Sequence, residues 1–197
     1  MALSVKLTCT AFTTEQLLRD AKAKIVFAGR SNVGKSSLLN ALFGQKLAKI
    51  SSTPGKTQSI NYYELTNQTG YLVDLPGYGY AKASFEQRRV WSNLLDVFFQ
   101  KTSNITLVCV LIDSRLPPQE KDLDMISFSQ SQNLNILGIL TKTDKCSNKQ
   151  IKDRLNEWSG ILRAKPLPTS SKNKSGIDVL ARTLSETLAA NSLTNES

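Results

Sequence analysis

Gly29-Arg30-Ser31-Asn32-Val33-Gly34-Lys35-Ser36 fills the spacing G-x-x-x-x-G-K-[ST] in full. These residue types suit one task, the cradling of a polyphosphate. The glycines let successive backbone N–H groups curl around an anion, and the start of the following helix adds its positive dipole end. Lys35 would reach the β- and γ-phosphates, and the Ser36 hydroxyl would coordinate Mg²⁺. Downstream, Asp74-Leu75-Pro76-Gly77 fits D-x-x-G. There Asp74 is suited to hold Mg²⁺ through a water, and the Gly77 N–H to meet the γ-phosphate. Between the two strings lies Thr53-Pro54-Gly55-Lys56-Thr57-Gln58. A switch loop needs one threonine whose hydroxyl completes the Mg²⁺ shell when a γ-phosphate is present. Thr57, just ahead of a strand beginning near Ile60, is the choice, and Thr53 is the rival.

Two further strings address a base. Thr141-Lys142-Thr143-Asp144 matches N-K-x-D with Thr in place of Asn. The Asp144 carboxylate would accept from guanine N1–H and the N2 amino group, and adenine lacks both donors. The Lys142 stem can cover the base plane. Ser170-Ser171-Lys172 fits the S-A-K element, which offers a backbone N–H to guanine O6. Its order in the chain gives it weight, since the string alone says little.

The elements that must position these residues alternate between strand and helix, which points to an α/β fold with a mostly parallel sheet and helices on both faces. Lys24 to Ala28 reads as a strand ending at Gly29, and Ser36 to Phe43 as a helix. Ile60 to Thr66 and Gly70 to Asp74 read as a hairpin, so one antiparallel strand enters the sheet. Ile105 to Ile112, Ile136 to Leu140 and Lys165 to Thr169 complete six strands. Helices are expected over Glu86 to Gln100, from Pro117 through Gln130, over Asn148 to Ile161 and over Ser175 to Ala190. One domain is expected over 23–190, after an extension over 1–22 and before a frayed tail over 191–197.

The 197 residues carry a formal net charge of +9, 40% hydrophobic residues and no histidine. Histidine-based catalysis and His-containing metal sites are thereby excluded. The three cysteines have no metal or redox spacing, which reads as a reduced, cytoplasmic chain. No signal peptide, membrane span or lipidation string is evident, so no membrane partner is expected. A monomer is the default. The positive charge suggests an anionic partner.

Four strings resemble those of the EngB (YihA/YsxC) GTPases: Gly29 to Leu38, Thr53 to Gln58, Asp74-Leu75-Pro76-Gly77-Tyr78-Gly79-Tyr80-Ala81, and Thr141 to Asp144. The similarity runs from about Lys24 to the final helix, and Thr141 is usual for that family. The resemblance implies a Ras-like P-loop NTPase fold and a bacterial GTPase acting in assembly of the large (50S) ribosomal subunit. It also implies a link to cell division and septation. Carried over by position, Mg²⁺ falls to Ser36 and Thr57. The nucleotide falls to residues 29–36, to Gly55, Lys56, Thr57, Gln58 and Ser59, to 74–77, to 141–144, and to Thr169, Ser170 and Ser171. The first twenty residues depart from the pattern and lack the proline expected before the first core strand.

A Ras-type enzyme carries a water-orienting glutamine after the second glycine, and here that position is Tyr78. Intrinsic hydrolysis is therefore expected to be slow, resting on Lys35, Thr57 and Gly77. Asn32 resembles the asparagine that binds K⁺ in related GTPases; its plainer role is to cap the loop. The other source of help is a partner that completes the site, the pre-50S particle's rRNA or protein. Arg88 and Arg89 read more simply as a solvated helix face. Lys46, Lys49, Lys56, Lys82, Lys165, Lys172 and Lys174 put positive charge near the switches and the base strings, although no RNA-binding motif accompanies them. DNA is not expected as a partner. The alternative is a division or signalling GTPase acting on a protein partner without ribosome binding.

Overall fold

The apolar run from Ile25 to Ala28 is fully buried because it forms β2 (Lys24–Gly29), the central strand of a seven-stranded sheet. This computed structural model describes residues 2–48, 59–78 and 85–194. The other strands are β1 (Val5–Ala11), β3 (Ile60–Leu65), β4 (Tyr71–Asp74), β5 (Ile105–Asp113), β6 (Ile136–Thr141) and β7 (Leu167–Pro168). Their order across the sheet is β1-β3-β4-β2-β5-β6-β7. β2 pairs in parallel with β4 and β5, and the parallel ladder continues through β6 to β7. β3 is antiparallel to both β4 and β1, so it alone runs against the rest.

Side-chain alternation along the strands sorts the core into two layers. Ile25, Phe27, Leu72 and Leu111 pack with Leu38, Leu39 and Leu42 of α1 (Lys35–Phe43) and with Leu180, Leu184 and Leu188 of α5 (Ile177–Thr194). Val26, Ala28, Val73 and Val110 face the other way. They pack with Leu94 and Phe98 of α2 (Phe85–Lys101), Ile126 of α3 (Glu120–Ser131) and Trp158 of α4 (Asn148–Leu162). Local chemistry sets the helix ends. Ser147 and Gln150 form a reciprocal capping box at the start of α4. Gly44, at φ 66°, ends α1 in the left-handed region.

The fold class read from the sequence holds, but the sheet has seven strands where six were expected. The seventh is β1, which lies within the first twenty residues. It covers the free edge of β3, and the Leu3 N–H donates to the Leu42 carbonyl at 2.8 Å. Val5, Leu7, Cys9 and Ala11 alternate with Lys6, Thr8 and Thr10, a signal that could have found this strand. A register shift between Leu7 and Cys9 breaks the alternation, leaving Val5 and Ala11 buried and Leu7 43% exposed. Pro117 and Pro118 precede α3 instead of opening it, because Gln119 is the extended N-cap. α5 continues to Thr194, into the stretch read as tail. The parallel strands end together at Gly29, Asp74, Asp113 and Thr141, and the loops that leave these ends build the site.

Candidate functional site

The loop from β2 into α1 turns on two left-handed residues, Asn32 at φ 65° and Gly34 at φ 106°. Left-handed residues in a tight turn direct backbone N–H groups inward, an anion-binding concavity continuous with the N-terminus of α1. Lys35 and Ser36 occupy the first turn of that helix. Lys35 is buried, and its Nζ donates to Oδ1 of Asp74, itself buried at the end of β4. A serine hydroxyl and a carboxylate supply the hard oxygen donors that a Mg²⁺ ion takes.

Leu75, Pro76 and Gly77 run on from β4 along this loop. The Leu75 N–H donates to the Phe27 carbonyl at 3.0 Å, and the Tyr78 N–H to the Gly29 carbonyl at 3.2 Å. The Ser31 N–H returns a bond to the Tyr78 carbonyl at 2.9 Å, and Ser31 Oγ donates to the Gly77 carbonyl at 3.3 Å. Gly77 allows this close approach: a Cβ there would stand 3.1 Å from Ser31 N and Cα, and the Ser31 backbone would have to give by a few tenths of an ångström. D-x-x-G and the phosphate loop therefore meet as backbone against backbone. Arg30 turns away, its Nε donating to Asp122 Oδ2 at 3.0 Å.

The base strings surround a cavity of about 280 Å³ lined by Thr141, Lys142, Asp144, Thr169, Ser171 and neighbouring residues. Gly34, Ser37 and Leu38 form the wall on the phosphate-loop side. Thr141 stands where N-K-x-D has asparagine. Its hydroxyl lies 2.7 Å from the Val33 carbonyl and 3.1 Å from that of Ile112, tying β6 to the phosphate loop. Lys142, left-handed at φ 58°, donates through Nζ to the Asn32 carbonyl at 2.6 Å and to Asp113 Oδ2 at 2.8 Å. Burial pushes the Asp113 carboxyl up, but bonds from Arg115 and Lys142 outweigh it and hold the group well below the usual carboxylate range.

Asp144 is exposed at the cavity and accepts from Ser170 Oγ at 2.6 Å. Ser170 Oγ in turn accepts from the N–H groups of Lys172 and Asn173 at 3.2 and 3.4 Å. Thr143 donates to the Thr169 carbonyl through both N–H and hydroxyl. The loop after β7 is thereby bolted to the Thr141–Asp144 turn. It closes at Gly176, φ 73°, where a Cβ would stand 2.2 Å from the Pro168 carbonyl oxygen.

The structure thus brings together residues 29–36, Asp74 to Gly77, Thr141 to Asp144 and Thr169 to Ser171. Ser59 is buried at the entrance to β3. Gly55, Lys56, Thr57 and Gln58, with Thr53, Lys49 and Lys82, lie outside the described residues, as does the Arg88 side chain. Motif reading missed Asp113 and Asp122. Asp113 had one signal, an acid ending a long β-branched run; Asp122 had none, because its partners are 92 and 44 residues away.

Comparisons with known proteins bear on this geometry. A family model described as "50S ribosome-binding GTPase" matches residues 24–142. A probable GTP-binding protein EngB from Desulfovibrio desulfuricans is 49% identical over 181 residues, which is 91% of this chain and 90% of that one. The chain belongs to the EngB family of GTP-binding proteins. Another EngB relative, from Nitratidesulfovibrio vulgaris, is 46% identical over 98% of this chain and 90% of its own. A crystal structure of a probable GTP-binding protein engB superposes with a TM-score of 0.69 at 24% identity, covering 85% of this chain and all 100% of that one. Era in complex with MgGDPNP and nucleotides 1506–1542 of 16S ribosomal RNA gives 0.65 at 22% identity, over 82% of this chain and 55% of that one. These two solved structures establish the fold as that of Ras-like P-loop GTPases. Membership of the EngB family makes the chain a GTP-binding protein of the GTPase class. Among the described residues, no helix is long and apolar enough to cross a membrane.

Proposed function

We propose that this chain binds GTP with Mg²⁺ in the joined phosphate and base sites, hydrolyses it slowly, and acts as a switch in assembly of the bacterial large ribosomal subunit. The family resemblance adds a linked requirement in cell division and septation to this proposal, with the chain acting in the cytoplasm as a monomer. The observation that carries the reading is the seam at Lys142. One ammonium group bonds the phosphate-loop carbonyl of Asn32 and the carboxylate of Asp113, beside a cavity whose mouth presents Asp144. A single ligand carrying both a polyphosphate and a purine fits that seam.

In this reading the N–H groups of residues 30–36 and Lys35 hold the phosphates, with Gly77 at the γ-phosphate. Ser36, Thr57 and, through a water, Asp74 would hold Mg²⁺, and the ion would supply positive charge against the phosphates. Asp144 selects guanine, while Ser170 and Ser171 orient it. Lys35, buried and bonded to Asp74, is an ammonium group ready to be drawn onto phosphate oxygens. Slow turnover follows from Tyr78, which has no side-chain amide to orient a water and whose hydroxyl is committed to Asp122. Asn32 would hold a K⁺ ion, which would supply the missing charge; a ribosomal group is the other source. Turnover at saturating GTP should be faster in potassium than in sodium chloride, and equal rates would remove the K⁺ role.

The ribosomal role is supported by the family model's description and by the net charge of +9. Co-sedimentation with large-subunit precursors tests it. Binding should differ between GDP and a non-hydrolysable GTP analogue, and should weaken steeply between about 50 and 200 mM salt. Binding to neither precursor in either nucleotide state would favour a division or signalling GTPase with a protein partner.

A further inference from the structure

Tyr78 follows Gly77, yet it does not reach toward the phosphate loop's concave side. It is 7% exposed, and its hydroxyl donates to Asp122 Oδ1 at 3.1 Å. The other oxygen of the same carboxylate accepts from Arg30 Nε at 3.0 Å. Asp122 has no solvent exposure and lies in the first turn of α3, an element that contributes nothing else to the site. A buried carboxylate is costly unless donors meet its oxygens, and here the two donors come from the phosphate loop and from the switch glycine's neighbour. The backbones agree with the side chains. Arg30 and Tyr78 form an isolated parallel bridge, and Ser31 is pressed against Gly77. One side chain on a distant helix therefore fixes the residue before Ser31 and the residue after Gly77 at once.

We propose that Asp122 is a positioning residue for GTP hydrolysis. By holding Arg30 and the Tyr78 hydroxyl on one carboxylate, it sets Gly77 at its place beside the phosphate loop and keeps the Tyr78 ring out of the attacking water's space. Asp122 touches neither phosphate nor water in this scheme and acts only through its two donors. The proposal rests on the reading of the site as a GTP site.

Single-turnover GTP hydrolysis, GDP affinity and amide hydrogen exchange of the segment 75–78 in the full chain test it. Tyr78→Phe keeps the ring and removes one oxygen, and Asp122→Ala removes both acceptors. Each should slow hydrolysis about tenfold and speed exchange of the Tyr78 N–H, while GDP affinity stays within about twofold. Asp122→Asn can accept from Arg30 and donate to the Tyr78 oxygen, so it should restore the rate to within about twofold of wild type. Wild-type hydrolysis and exchange in Tyr78→Phe would overturn the proposal. So would a loss of GDP affinity equal to the loss of rate, which marks a merely structural role. If Asp122→Ala does not fold, Tyr78→Phe decides alone. Failure of the wild-type chain to bind GTP at all overturns the GTP reading, a distinguishable result.

Discussion

Asp113 ends β5 and Asp144 lies in the turn after β6, and their surroundings give the two carboxylates different work. Asp144 stands exposed, with one oxygen held by Ser170, so its carboxylate can meet a ligand. On the proposed reading, Asp144→Ala leaves the guanine N1–H and amino group unpaired. GTP affinity should fall more than about a hundredfold in isothermal titration, with no gain for ATP. Asp113 is turned inward and serves Lys142 and Arg115. Its folded pKa is depressed from an ordinary 3.8, so its contribution to stability is fully present above about pH 4 and is lost as pH falls through the folded value. Asp113→Asn should therefore be less stable by about 1–2 kcal/mol at pH 7, discounted because the Arg115 side chain is 42% exposed. Denaturant titrations should show the gap closing toward pH 2. A gap that widened in acid would contradict the sign.

At the scale of elements, the base loop depends on a conformation more than on any side chain. Gly176 combines a positive φ with a backbone carbonyl where a Cβ would stand. Gly176→Ala should cost about 1–3 kcal/mol of stability and weaken guanine nucleotides severalfold, as the loop carrying Ser170 and Ser171 shifts. Calorimetry on the same samples checks both. Such features also mark what the sequence made legible. β2, β5 and β6 were readable because buried parallel strands are continuous apolar runs, and the phosphate loop and the Thr141–Asp144 string stand at the ends of two of them, β2 and β6. β7 was harder, since it spans two residues, Leu167 and Pro168, and is defined by its neighbour β6 more than by its own pattern. β1 was missed although its alternation is plain, because its pairing with β3 is long-range and a register shift interrupts it. The strings of the candidate site were legible because they are local. The supports at Asp113 and Asp122 were not, because their meaning lies in partners that only the folded sheet brings near.

Over the whole molecule, two layers of apolar side chains hold five parallel strand ends in one row, and three of the recognition loops leave from β2, β4 and β6. Such an arrangement ties the phosphate loop to the Thr141–Asp144 turn through Thr141 on Val33 and Lys142 on Asn32. On the proposed reading one nucleotide bridges both sites across that tie, so base identity and phosphate affinity are read together. Calorimetric titration of the purified chain with GTP, GDP and ATP in Mg²⁺ buffer measures it most directly. GTP and GDP should bind with micromolar or tighter dissociation constants, and ATP at least about a thousandfold more weakly. Equal binding of ATP and GTP, or no binding of either, would contradict it.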